Sequence, residues 1–188
     1  MKVGILAIQG DYEAHGRMLD RLGVEHVCVR LPGDLAGLSG IILPGGESST
    51  HLKVLTEEGL FDALKQLAAN GGAFFGTCAG AILLAREVHG PEQASLGLLD
   101  ISVMRNAYGR QLASDVHMGR TNLRKAPLEM VFIRAPIIES VGKEIEVLAE
   151  DAGHPVLVRQ GRILASTFHP ELTDDPAVHE YFVNLMAQ

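Results

Sequence analysis

The first 86 residues alternate short apolar runs with segments of helical periodicity, and this alternation restricts the fold more than any other feature of the chain. Residues 3–8 are almost continuously apolar, as expected of a strand covered on both faces. Residues 11–22 carry Tyr12 and Leu19 among polar neighbours in a helical spread. Residues 24–29 are predicted as a second strand, Leu31-Pro32-Gly33 as a turn, and residues 40–43 as a third strand ending at Pro44-Gly45-Gly46. Over 60–70, Leu60, Leu64 and Leu67 fall on one helical face, and Gly71-Gly72 ends that helix. Residues 73–76 are a fourth strand and 79–86 a further helix. Strands that alternate with helices lie parallel and are joined by right-handed crossovers.

The second half reads differently. Residues 101–105, 130–134, 144–148, 155–160 and 163–167 are predicted strands with few helices between them, and 156–167 is a hairpin turning at Gln160-Gly161. Asp175-Pro176 opens a closing helix over 177–186, with Asp175 as its cap and Pro176 at its first position. Residues 87–100 match no pattern and are expected to form a surface excursion. The fold class that follows is α/β, a mostly parallel but mixed central sheet flanked by helices.

Composition bounds the function. With 47% hydrophobic and 21% charged residues in 188, the chain can bury a core, and its length suggests one domain over 1–188. A net charge of −7 argues against a nucleic-acid binder that works by phosphate neutralisation. No apolar run approaches the ~20 residues of a membrane span, and residues 1–10 do not read as a signal peptide. Two cysteines cannot form a disulfide framework, so a reducing, cytoplasmic setting is expected. Cys28, in mid-strand, is expected to be inert core. The eight histidines are scattered without metal-ligand spacing, and neither a metal nor a cofactor is expected.

Parallel sheets place their sites beyond the carboxyl ends of the strands, and three segments there are unusual. Gly76-Thr77-Cys78-Ala79-Gly80, between a strand and a helix, has the spacing of an elbow that lifts a nucleophile out of a sheet; a buried cysteine on a tight glycine turn has the same pattern. His169-Pro170-Glu171 offers a base and a group to orient it, although alone it is also compatible with a solvated loop. Residues 44–50 (P-G-G-E-S-S-T) could present backbone amides to an oxyanion or to a phosphate, but lack the G-K-[ST] ending of a P-loop. Residues 105–111 after a strand suit a surface loop, or Arg105 could hold a carboxylate with its planar fork; Phe132-Ile133-Arg134-Ala135-Pro136 has the same ambiguity.

Together these residues resemble the triad-type (class I) glutamine amidotransferases, and within them the branch that serves as the glutaminase of pyridoxal 5′-phosphate synthase. The resemblance runs along the chain: A-I-Q-G-D-Y-E-A-H from Ala7, L-P-G-G-E-S-S-T from Leu43, F-F-G-T-C-A-G-A from Phe74, R-N-A-Y-G-R-Q from Arg105, F-I-R-A-P from Phe132 and F-H-P-E-L from Phe168. It implies a three-layer flavodoxin-like fold. It implies a triad of Cys78, His169 and Glu171, with L-glutamine bound by Gly46, Glu47, Ser48, Arg105, Ile133 and Arg134. The oxyanion would be held by the amides of Gly46 and Ala79. The implied partner is a (β/α)₈-barrel synthase subunit that receives ammonia. The Gln9-Gly10 turn is expected to couple docking of that partner to formation of the oxyanion hole. Two alternatives stay in view: the glutaminase of another biosynthetic complex, such as that of the histidine pathway, and a cysteine-elbow hydrolase of the same architecture. A flavodoxin-type binding domain is disfavoured, because the loop after Gly10 lacks the Ser/Thr-rich composition such sites use.

Overall fold

The computed structural model describes residues 1–106 and 115–188. In chain order the first half comprises β1 (Lys2–Leu6), α1 (Tyr12–Arg21), β2 (Glu25–Val29), β3 (Gly40–Leu43), α2 (Ser48–Glu57), α3 (Leu60–Ala69), β4 (Ala73–Thr77) and α4 (Ala79–Leu84). The second half continues with β5 (Ala85–His89), β6 (Leu99–Met104), β7 (Asp115–Gly119), β8 (Leu128–Phe132), β9 (Ile137–Val141), β10 (Glu146–Asp151), β11 (His154–Gln160), β12 (Ile163–Ser166) and α5 (Ala177–Met186).

Seven strands make the main sheet, in the order β10-β11-β12-β4-β3-β1-β2. From β12 to β2 every neighbour is parallel, which gives the doubly wound order 2-1-3-4 followed by the last strand. Only β11 runs against its neighbours, through the β11–β12 hairpin and its pairing with β10. Two small sheets, β5-β6-β9 and β7-β8, complete the strands among the described residues.

Side chains alternate across the main sheet and build two cores. Ile41, Leu43 and Phe74 face Leu55 of α2, Leu60 and Leu64 of α3, and Ala81 to Leu84 of α4. Ile42 and Phe75 face the other way, against Leu19 of α1, Phe182 of α5 and the apolar side of β8. Phe74 and Phe75 are both fully buried, each contributing about 1.5–3 kcal/mol. The sheet is thus the middle of three layers, and its parallel strands all aim their carboxyl ends at one edge of the molecule.

Several expectations need correction. The helix expected over 79–86 stops at Leu84, because Ala85 turns extended (φ −57°, ψ 150°) and pairs with Leu99. Residues 87–100 are not a surface excursion: Val88, Leu96 and Leu99 are buried in the first core, and the Leu96 and Leu98 amides donate to the carbonyls of Leu83 and Leu84. The strand expected over 130–134 ends at Phe132, since Arg134 takes a φ of 47° that no strand permits. Cys28 is exposed rather than core, because β2 is the edge of its sheet. The closing helix starts at Ala177, with Pro176 as the flanking residue, while the Asp175 carboxylate accepts from the Ala177 amide at 3.1 Å. Strands β5, β7 and β9 were not expected. No helix among the described residues is long and apolar enough to cross a membrane.

Candidate active site

Four parallel strands end side by side, and the residues that follow them meet. Gln9, Gly10 and Asp11 come after β1, Gly46, Glu47 and Ser48 after β3, Cys78 after β4 and His169 after β12; all line one cavity of about 340 Å³. The cavity opens where β1 and β3 diverge in chain order, the place a doubly wound sheet leaves free for a ligand.

Cys78 sits at φ 48°, ψ −102°, a conformation that costs a non-glycine residue on the order of 1–3 kcal/mol and persists only when its surroundings enforce it. Here they do. The Cys78 amide donates to the Ser166 carbonyl at 2.9 Å, and the Cys78 carbonyl accepts from the Ile82 amide at 3.2 Å. A β-carbon on Gly80 would overlap the Leu43 carbonyl oxygen, and one on Gly76 would lie 2.5 Å from the Gly80 carbonyl. The glycines at both ends of the elbow therefore let three backbone segments close-pack beneath the thiol. Cys78 is left 7% exposed, its Sγ 3.9 Å from the Ile133 carbonyl oxygen.

His169 arrives from β12, its amide donating to the Val131 carbonyl at 2.8 Å. Pro170 then starts a single 3₁₀ turn, Pro170–Leu172, which folds Glu171 back so that its Oε1 lies 2.8 Å from His169 Nδ1. That leaves Nε2 as the ring nitrogen free for the thiol. Gly45 faces the ring edge, where a β-carbon would overlap Cε1. Burial acts to lower the His169 pKa, but Cys78 and Glu171 beside it outweigh burial and raise it to about 10. Burial likewise acts to raise the pKa of Glu171, and His15 and His169 outweigh it, holding the carboxyl well below the usual carboxylate range.

All six residues expected to bind substrate, Gly46, Glu47, Ser48, Arg105, Ile133 and Arg134, line the cavity with Cys78 and His169. Ala79 is buried behind Cys78 as the first residue of α4. Glu47 caps α2 through the Thr50 amide at 2.9 Å and also accepts from the Ser49 hydroxyl. These bonds outweigh partial burial and push its pKa down to about 2. Arg105 is not free in this state: one guanidinium nitrogen, Nη2, meets Glu47 Oε1 at 3.0 Å. The Ser48 hydroxyl donates to Gln93 Oε1 at 3.1 Å, so residues expected to be a surface excursion support the Gly46–Ser48 loop. Of the stretch Arg105 to Gln111, residues 107–111 lie outside the described residues. Among the described residues, no three His, Cys, Asp or Glu side chains gather where they could hold a metal ion.

Sequence reasoning passed over several neighbours. Asp11, Ile82, Asn106 and Pro136 also line the cavity. His15 Nε2 lies 3.5 Å from Glu171 Oε1, and His51 Nε2 donates to the Gln9 carbonyl at 3.1 Å. His15 closes the motif that begins at Ala7, but nothing in that motif places it behind Glu171, and His51 lies just past the motif that ends at Thr50.

A thiol, an imidazole and a carboxylate brought together at the carboxyl edge of a doubly wound sheet are suited to acyl transfer, and comparison with known proteins identifies the family. The chain belongs to the SNO glutamine amidotransferase family, whose model matches residues 5–188. It is 53% identical over 186 residues to the pyridoxal 5′-phosphate synthase subunit PdxT of Koribacter versatilis, covering 99% of this chain and 96% of that one. Identity to the PdxT subunit of Deinococcus radiodurans is 51% over 193 residues, covering 100% and 98%. Among solved structures, a glutamine amidotransferase crystal structure superposes with a TM-score of 0.92 at 48% identity, covering 99% of both chains. PurLQS from Thermotoga maritima superposes at 0.69 with 18% identity over 97% of each chain, a likeness of fold alone.

Proposed function

We propose that the chain hydrolyses L-glutamine to glutamate and ammonia and is the glutaminase subunit of a pyridoxal 5′-phosphate synthase, the whole of 1–188 acting as one domain. The observation that carries the chemistry is the convergence of Cys78, the His169–Glu171 pair and the Gly46 loop on one cavity, whose volume suits a single small ligand. The relatives that match over the whole chain carry the pathway.

Free glutamine has an α-carboxylate and an α-ammonium group. Arg105 and Arg134 supply positive charge for the first, Glu47 negative charge for the second, and Ser48 and the Ile133 backbone complete the walls. The side-chain amide then lies against Cys78. Sγ attacks the amide carbon, and the amides of Gly46 and Ala79 hold the oxyanion that develops. His169 carries the proton lost by the thiol and delivers it to the departing nitrogen, so ammonia leaves and a glutamyl thioester remains. Water enters, His169 takes its proton, and the thioester opens to glutamate and free Cys78. Glu171 orients the imidazole and balances its charge throughout.

The ammonia passes to the (β/α)₈-barrel synthase subunit. Contacts around Gln9 support a coupling role for its turn. The Gln9 carbonyl is bonded to His51 of α2, and Gly10 packs so closely on the Gly45 carbonyl that a β-carbon there would overlap it. Pressure on the turn therefore reaches the Gly45–Gly46 peptide directly. A cytoplasmic location suits a nucleophile that must remain a free thiol.

The test is glutamate release from glutamine with and without the barrel subunit. Release that depends on the barrel is expected. Release indifferent to the barrel would keep the triad and remove the pathway, and no release in either case would remove the reading altogether.

A further inference from the structure

Behind the triad lies a file of buried polar groups that the reaction above does not use. His15, on α1, is fully buried. Its Nε2 faces Glu171 Oε1 at 3.5 Å and Thr77 Oγ1 at 3.3 Å, and its Nδ1 meets His179 Nε2 of α5 at 2.9 Å. His179 is also fully buried, and its Nδ1 has no partner among the described residues.

The tautomers follow from these distances. Burial above all holds the His179 pKa far below its ordinary value, so this ring is neutral and carries one N–H. On Nδ1 that proton would be a buried donor without an acceptor, the rarest kind of unpaired group. On Nε2 it donates to His15 Nδ1. His15, accepting there, carries its own proton on Nε2, pointed between Thr77 and Glu171. Glu171 Oε1 is then approached by N–H groups from both sides, His169 in front and His15 behind.

We propose that His15 is a positioning residue for glutamine hydrolysis: its Nε2–H holds the Glu171 carboxylate against His169, and His179 fixes the tautomer that makes this possible. Other charged groups near Glu171 do not take this part. Arg17, Arg21, Glu129 and Asp174 line a separate cavity of about 480 Å³ behind it. Arg21 is drawn to Asp174 there, and Glu171 Oε2 has no hydrogen-bond partner among the described residues. Because α1 begins immediately after Asp11, the same helix that starts at the Gln9–Gly10 turn carries the group that steadies the triad carboxylate.

This inference rests on the glutaminase reading, and the experiment separates the two. An Asn amide can reach the place of the ring Nδ1, a Gln amide the place of Nε2. His15→Asn therefore keeps the His179 side and loses Glu171, whereas His15→Gln does the reverse. Partner-stimulated glutamine hydrolysis is measured for both across pH, with melting temperatures alongside. His15→Asn is expected to lower kcat about 10- to 100-fold, the scale on which loss of an orienting partner is felt, with KM for glutamine little changed. Its acid limb is expected to move to higher pH, because Glu171 has lost a donor to its charged form. His15→Gln is expected to recover most of kcat and the original limb. Equal losses in both variants with an unmoved limb would make His15 a packing residue and overturn the proposal. Should His15→Asn fail to fold, His179→Leu reads the same file one link back: a smaller move of the limb in the same direction is expected, and no move overturns the proposal. A wild type that releases no glutamate would instead overturn the glutaminase reading.

Discussion

Around Cys78 the main chain does the positioning. A positive φ, a bond from its amide to Ser166 and two glycines that admit no β-carbon fix the thiol without a single polar side chain. Around His169 the positioning falls to side chains: Glu171 at 2.8 Å, His15 behind it and His179 behind that, drawn from three separate stretches of sequence. The backbone-built half has no titratable support and tolerates no added volume. The side-chain-built half depends on charge, and therefore on pH. Cys78 and His169, which line the same cavity, should therefore fail under different insults.

The harshest way to break this contrast is to add one methyl group to the elbow. Gly80→Ala is expected to cost about 3 kcal/mol or more in denaturant unfolding, since the clash is with the Leu43 backbone, and to abolish hydrolysis. A variant that kept both would show that the elbow is not backbone-locked. On the other side, His169→Ala is expected to lower kcat about 10³- to 10⁴-fold and Glu171→Gln by less, because the second loses orientation and charge but keeps the base. Steady-state rates in the reverse order would mean that the two roles are wrongly assigned.

A milder probe is pH. His169 is raised on folding from 6.5 to about 10, so its contribution to stability is complete below about pH 6.5 and is lost as pH rises toward 10. Glu171 is lowered on folding, so its contribution is present above about pH 4.5 and is lost as pH falls through its depressed pKa. The melting-temperature gap between wild type and Glu171→Gln is thus expected to be widest between about pH 4.5 and 6.5 and to narrow toward pH 10. A gap that widened with alkali would contradict the charged pair. The smallest effect is expected at the docking turn. Gln9→Ala should lower barrel-stimulated turnover several-fold while leaving alkylation of Cys78 by a thiol reagent nearly unchanged, and equal losses in both would sink the coupling.

The contrast also explains what could be read from sequence. The elbow was legible because it is local: five consecutive residues whose glycine spacing states the backbone geometry. His169 and Glu171 were legible for the same reason, being two residues apart around a proline. The file behind them was not, since His15 and His179 are 164 residues apart and only the packing of α1 and α5 on the sheet brings them together. The exposure of Cys28 is not legible in the sequence, because an apolar run looks alike at the centre and at the edge of a sheet, and only topology puts β2 at the edge. The helix after the elbow was overextended because A-I-L-L-A-R suits a helix as well as a strand, and pairing with β6 decided for the strand from Ala85. β7 and β9 are not legible because they are short, their side chains are largely exposed, and neither has a sustained apolar run.

The central claim is that Cys78 carries the glutamyl group. Acid quenching of the enzyme during turnover of glutamine with the barrel subunit, followed by peptide mass mapping, tests it directly. A glutamyl adduct on the peptide containing Cys78, absent from Cys78→Ala, is the expected result. Normal turnover with no adduct there, or an adduct on Cys28 instead, would contradict the account.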